Sequence, residues 1–238
     1  MKIPTLLVRS LAGVSLLAAL SAVPASAQTQ FFNGLATNGG IGLSSEFNSD
    51  VTQSMTYDDF VITGSGWNVT DLFGYFGSDF AATDAQWEIR TGLSTGNGGT
   101  LLESGTSGVT LTATGNEPIG HTEYLADVGG LSFFLAPGTY WMGISLIGTG
   151  VGSGQAFVES TSGASGVNSD LDGMAFFNSS YFGVDFGPGS DQTGGPDDYA
   201  YGVLGSPAGS AVPEPSTMGL LATGLVGLAG AAKHRRRK

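Results

Sequence analysis

An all-β fold, an antiparallel β-sandwich or jelly roll, is what three features of this sequence predict. Glycine supplies 40 of the 238 residues, more than twice the usual ~7%, and it recurs between short apolar runs as turn residues do. Those runs alternate with a period of two, the period of a half-buried strand. Fourteen Phe, seven Tyr and three Trp supply large core side chains of a kind that disordered chains lack. The full expectation adds a cleavable N-terminal signal helix and a short C-terminal transmembrane helix.

The elements follow in order. Residues 28–53 are rich in Gly and Asn and read as a loose lead-in. A strand begins at Ser54, marked by Met55, Tyr57 and residues 60–62, and ends at Gly64-Ser65-Gly66. Residues 67–76 alternate as a second strand. Trp67, Val69, Phe73 and Tyr75 share one face with Asp71, so that set is expected to meet the core. Residues 85–90 put Trp87 and Ile89 on one side and Gln86, Glu88 and Arg90 on the other. Residues 92–99 form a turn, and Leu101-Leu102 opens another strand. Val109, Leu111 and Ala113 alternate with three Thr, a half-buried edge pattern. Residues 131–135, Pro137-Gly138 and residues 140–147 read as strand, tight turn, strand. Weaker strands are expected near 156–160 and 174–177, with a closing strand at 199–204. No fixed-period repeat is visible, which disfavours a solenoid or propeller. The β domain is thus placed at residues 54–205, followed by a linker at 206–211 that opens with Ser-Pro-Ala-Gly-Ser.

Charge divides unevenly. Of the eight Lys and Arg, only Arg90 lies between the two ends of the chain, against nineteen Asp and Glu, a net charge of −18. Such a surface repels phosphate and excludes a backbone-binding role on nucleic acid. It suits divalent cations or simple solubility. There is no Cys, so disulfides and thiolate metal sites are ruled out.

The N-terminus has the parts of a secretory signal over residues 1–27: Lys2 and Arg9, an apolar stretch at 11–20, and Ala25-Ser26-Ala27 as an A-x-A site for signal peptidase before Gln28. At the other end, residues 212–238 read as Val212-Pro213-Glu214-Pro215, an apolar stretch at 216–232, and Lys233-His234-Arg235-Arg236-Arg237-Lys238. The two prolines bias Val212 and Glu214 toward extended backbone, a shape that a protease cleft accepts. Seventeen apolar residues span about 25 Å as a helix, short for a membrane crossing. Lys233, Arg235, Arg236, Arg237 and Lys238 supply a positive-inside stop.

This three-part tail resembles the PEP-CTERM sorting signal of Gram-negative bacteria. The resemblance implies processing by the membrane protease-transpeptidase exosortase. It also implies a membrane-anchored precursor, held at least transiently by the C-terminal helix, and a destination in the envelope, at the cell surface or in the extracellular matrix. Such proteins are associated with extracellular polysaccharide and biofilm. The segments Tyr57-Asp58-Asp59-Phe60 through Tyr75-Phe76, Trp87-Glu88-Ile89-Arg90, and Leu135 to Trp141 also look like recurring ectodomains of these proteins, which carry no assigned activity.

Chemistry within the middle is sparse. His121 is the single His outside the tail, and a Ser-His-Asp site would rest on it alone; in a Gly-Pro-rich loop it reads as a surface residue. Nineteen acids make some carboxylate pair inevitable, so a glycosidase pair is not diagnostic. Asp58 and Asp59 point to opposite faces of a strand. Asn168, Asp170 and Asp172, followed by Gly173, place oxygen ligands at alternate positions as in the first half of an EF-hand loop. The twelfth position is Ser179 rather than Glu, however, and no helices flank it. A second acidic loop holds Asp185, Asp191, Asp197 and Asp198. A solvated turn is the simpler reading, and structural calcium is the alternative; no other cofactor is expected. Two functions remain. The first is a non-enzymatic envelope or matrix protein. The second is a carbohydrate-binding module using exposed rings from Trp67, Trp87, Trp141, Tyr75 and Tyr181. Burial of all three Trp would favour the first, and two or three exposed rings on one surface the second.

Overall fold

The computed structural model describes residues 27–148, 154–195 and 197–209, all within one compact unit, Ser26–Ser210. In chain order its strands are β1 (Gln28–Phe32), β2 (Ala36–Ser44), β3 (Glu46–Phe47), β4 (Ser54–Ile62), β5 (Trp67–Ser78), β6 (Asp84–Thr91), β7 (Thr100–Ala113), β8 (Thr122–Val128), β9 (Phe133–Leu135), β10 (Gly138–Ile147), β11 (Ala156–Thr161), β12 (Phe176–Ser179), β13 (Val184–Pro188) and β14 (Tyr201–Pro207). A 3-10 turn at Pro118–Gly120 and the one-turn helix α1 (Ser190–Thr193) are the helical elements among the described residues.

The protein is all-β, and its strands join into one curled, mixed sheet with the path β1-β14-β5-β8-β7-β6-β10-β3-β4-β12-β13. The joint is β7. Its first part, from Thr100 to Gly108, pairs with β6; its last part, Val109 to Ala113, pairs with β8. The sequence expectation splits this strand in two and reads its second part as an edge. The Ser- and Gly-rich middle of β7 hides its continuity, because it has few large side chains to mark a face. The short pairing of β3 with β10 is parallel, so the sheet is not purely antiparallel.

Residues 28–47 are not a loose lead-in. They form β1, β2 and β3. β1 pairs antiparallel with β14, Gln28 opposite Gly205, and β2 pairs with β11. These strands owe their order to hydrogen bonds and tertiary contacts, which a Gly- and Asn-rich sequence does not advertise. β14 likewise runs through Ser206 and Pro207, so the expected linker begins later than its composition suggests. β8 and β13 carry too little regular alternation to be read from sequence. The expected signal helix and the expected membrane helix at 216–232 lie outside the described residues. Among the described residues, no helix is long and apolar enough to cross a membrane.

One core receives side chains from both parts of the sheet: Val69, Leu72, Phe76 and Val203 from one, Phe60, Ile89, Met142 and Ile144 from the other. Phe60, wholly buried, sits at its centre. Its ring lies 5.5 Å from Phe31, 6.1 Å from Trp67 and 5.8 Å from Tyr140, centroid to centroid. A second cluster of Met55, Tyr57, Leu93, Trp141, Phe176 and Phe186 packs on the other face of β4. Buried on both faces, β4 loses the simple in-out alternation of a half-exposed strand.

The expected core face of β5 holds only for its first residues. Trp67 and Val69 are buried, but beyond them Leu72 and Phe76 point inward while Phe73 and Tyr75 are half-buried. The cause is a β-bulge. Leu204 pairs with Asp71 and Gly205 with Val69, leaving Thr70 as the extra residue. One extra residue moves every later side chain to the opposite face. Gly205 is needed at the bulge, since a Cβ there would stand 2.2 Å from the Asn68 carbonyl oxygen.

Candidate functional site

Asp58 and Asp59 are consecutive on β4, and strand alternation sends their carboxyls to opposite faces. Asp58 points into the fold and is fully buried. Its Oδ2 accepts from Asn33 Nδ2 at 2.8 Å and from the Tyr199 backbone N–H at 2.6 Å. Burial pushes its pKa well above the ordinary carboxylate range. Asn33 in turn accepts from the Asp170 N–H through Oδ1 at 2.9 Å. Asp58 is thereby a tie that fixes where the 162–175 loop crosses the sheet.

Asp59 faces the other way, beside Trp141 on the neighbouring strand. It is 2% exposed, and its Oδ1 is buried without a hydrogen-bond partner. The loop brings Asp170 and Asp172 to it. One carboxylate oxygen from each of Asp59, Asp170 and Asp172 lies within 4.8 Å of the other two. Two full charges at that distance repel by about 3 kcal/mol at an effective dielectric constant of ~20. Burial first, then Asp172, Asp170 and Asp198, push Asp59 up to about 7. Asp198 adjoins the group; its Oδ1 accepts from the Gly173 N–H at 3.0 Å, and Asp172 Oδ1 accepts from the Met174 N–H at 2.9 Å.

Of the three ligands suggested by sequence, the structure brings Asp170 and Asp172 together. Asn168 turns away, adopting φ +50° and donating from Nδ2 to the Gln30 carbonyl at 2.8 Å. Asp59 and Asp198 join from elsewhere in the chain. An acidic pair inside a strand of core residues was the sequence signal for Asp59. Asp191 is exposed on α1, and Asp185 lines a separate cleft.

Among the described residues, no basic side chain neutralises the acidic group. Arg90 is the sole Lys or Arg among the described residues. It donates through Nε to Glu88 Oε2 at 2.5 Å and through a terminal nitrogen to the Gly98 carbonyl at 2.8 Å, with its guanidinium 5.0 Å from the Phe186 ring. His121 pairs through Nδ1 with Asp79 Oδ1 at 2.6 Å and rests against Phe157. Both cationic candidates are spent on structure.

Another buried carboxyl pair lies elsewhere. Glu123 accepts from Thr114 Oγ1 at 2.6 Å and Asn116 Nδ2 at 2.9 Å. Glu159 is fully buried, with no partner on either oxygen. Neither carboxyl is presented to solvent, so the pair does not offer the open cleft of a glycosidase.

The three Trp are buried, at 6%, 7% and 6% exposure for Trp67, Trp87 and Trp141. Trp87 Nε1 donates to Ser107 Oγ and Trp141 Nε1 to the Met174 carbonyl, each at 3.1 Å. Exposed rings occur instead at the turn between β12 and β13. There Tyr181 and Phe182 meet edge to face at 4.9 Å, 59% and 52% exposed. The residues on either side of them in the chain, Ser180 and Gly183, line a cleft of about 390 Å³ with Gln53, Asn178, Ser179, Val184 and Asp185, and Phe182 itself lines a separate pocket with Phe157 and Phe177.

The sorting residues Val212, Pro213, Glu214 and Pro215, and the basic residues after them, lie outside the described residues, as does Ala25. Ala27 is exposed immediately before β1. No curated protein and no solved structure matches the chain. A family model does: the PEP-CTERM protein-sorting motif matches residues 211–237, covering the Pro-Glu-Pro segment, the apolar stretch and all but the last basic residue. Residues 211–237 are a PEP-CTERM protein-sorting motif, and the chain is an exported protein sorted through it by exosortase.

Proposed function

We propose that this is a non-enzymatic protein of the cell envelope or extracellular matrix, whose β domain is the part delivered by the sorting motif. The observation that carries the reading is the motif itself at 211–237, attached to a domain whose Trp and Arg side chains are consumed in its own packing. The acidic surface keeps such a domain soluble and repels like-charged neighbours. Deleting residues 212–238 tests it by fractionation of the native host. The truncated protein is expected to leave the envelope-associated pool and to collect in the medium or periplasm, at least tenfold depleted from its normal fraction. An unchanged destination would overturn the reading.

A second reading is favoured by the hairpin tip. Sugars stack on exposed aromatic rings while polar groups bond their hydroxyls; Tyr181 and Phe182 are exposed, and their chain neighbours Ser180 and Gly183 line a cleft that also holds Gln53, Asn178 and Asp185. On that reading, Tyr181→Ala combined with Phe182→Ala reduces retention on extracellular polysaccharide at least tenfold without changing the thermal midpoint. Equal retention of variant and parent would remove it.

A further inference from the structure

We propose that Asp59, Asp170 and Asp172 hold a divalent cation that fastens the 162–175 loop to the outer face of β4. The donors come from two distant parts of the chain. One is fixed on a strand buried on both faces, and two come from a loop. Their carboxylate oxygens converge within 4.8 Å, the separation expected of ligands around one ion with metal–oxygen distances of about 2.3–2.6 Å.

The deciding feature is Asp59. An acidic cluster in water is an ordinary surface feature, with each carboxylate solvated. Asp59 is 2% exposed, and its Oδ1 has neither water access nor a hydrogen-bond donor. A buried carboxylate oxygen without a partner is costly. The contrast with Asp58 is informative. That neighbouring carboxyl is equally buried, yet it receives donors from Asn33 and Tyr199. Among the described residues, Asp58 on the inner face has donors, whereas Asp59 Oδ1 on the outer face has none and its carboxyl meets further acids. Asp198 adds a fourth negative group at the rim. With Arg90 held by Glu88 and His121 by Asp79, a bound cation is the charge that completes the group.

The donor chemistry selects the ion. All donors are oxygens, the chain has no Cys, and no His belongs to the group among the described residues, so a hard cation of the calcium or magnesium type fits better than zinc or copper. Ligands on a loop favour calcium, which tolerates irregular geometry, over magnesium, which demands an octahedron. The affinity class is that of extracellular modules, a Kd of about 10⁻⁴–10⁻³ M. An exported domain meets calcium at such concentrations outside the cell, where the ion would complete its folding.

The test uses the full-length protein, stripped with EGTA and titrated separately with calcium, magnesium and manganese chloride. Thermal midpoint and calorimetric heat are the readouts. The parent is expected to bind one calcium per chain and to gain roughly 5 °C at 10 mM calcium. Asp59→Asn is expected to show no shift. In EGTA it should melt no lower than the parent, because the substitution relieves repulsion where no ion is present. Asp172 is exposed, so Asp172→Asn folds normally and is expected to bind at least tenfold more weakly; it decides the matter should Asp59→Asn misfold. A parent that responds to none of the three ions, or variants that respond as the parent does, would overturn the proposal. The outcome is independent of where the protein finally resides.

Discussion

Replacing Phe60 by Ala is expected to destabilise the domain by about 3–5 kcal/mol, the range for deleting a fully buried aromatic side chain. In a domain of this size that lowers the thermal midpoint by roughly 10 °C. The size of the effect follows from position. Phe60 contacts Phe31, Trp67 and Tyr140, so its ring joins strands from separate parts of the sheet. Large neighbouring rings collapse poorly into a cavity, which keeps the cost at the upper end. Phe60→Leu retains most of the volume and is expected to cost no more than about 1.5 kcal/mol. Urea unfolding of the two variants measures both. A loss below ~1 kcal/mol for the Ala variant would mean that this core is not the one the fold depends on.

Replacing Glu159 by Gln is expected to stabilise the protein at alkaline pH and to flatten its stability profile. Burial first, and Glu123 second, push the Glu159 carboxyl up to about 8 from an unperturbed 4.5. The folded state therefore holds a proton that the unfolded chain releases. The contribution of this group is fully present below about 4.5 and is lost as pH rises through about 8. Above that pH the parent carries a buried carboxylate without partners, and the Gln variant does not. The expected gain at pH 9 is on the order of 2–4 kcal/mol, against little change at pH 4.5. Glu46 and Asp127 are also raised by burial, so the parent should be more stable at mildly acid than at alkaline pH even apart from Glu159. Denaturant midpoints at pH 4.5, 7 and 9 provide the measurement; parallel profiles for parent and variant would contradict the assignment.

Particular residues show how much of the fold was legible. Trp87 and Ile89 on one side of β6, and the turn at Pro137-Gly138 before β10, follow from alternation and turn chemistry. The inward face of β5 does not, because the bulge at Thr70 depends on the register of β14, some 130 residues later in the chain. β1 and β2 were illegible for a related reason. Their Gly, Asn and Thr residues carry little pattern, and their order comes from pairing with β14 and β11.

The candidate site divides in the same way. Spacing along the chain singles out Asp170 and Asp172, because alternate residues of a short loop can turn toward one point. Spacing also includes Asn168, which folding instead assigns to the Gln30 carbonyl. Asp59 enters only through tertiary structure, since convergence of a strand and a distant loop leaves no trace in local sequence.

The sorting motif and the all-β class of this protein are legible in local sequence. A sorting motif is read as a linear segment by another protein, and strand periodicity is a local property of the chain. Which acids meet, which rings remain exposed and where the sheet turns emerge with folding. These depend on strand register and on burial, and both are set by contacts between residues far apart in sequence.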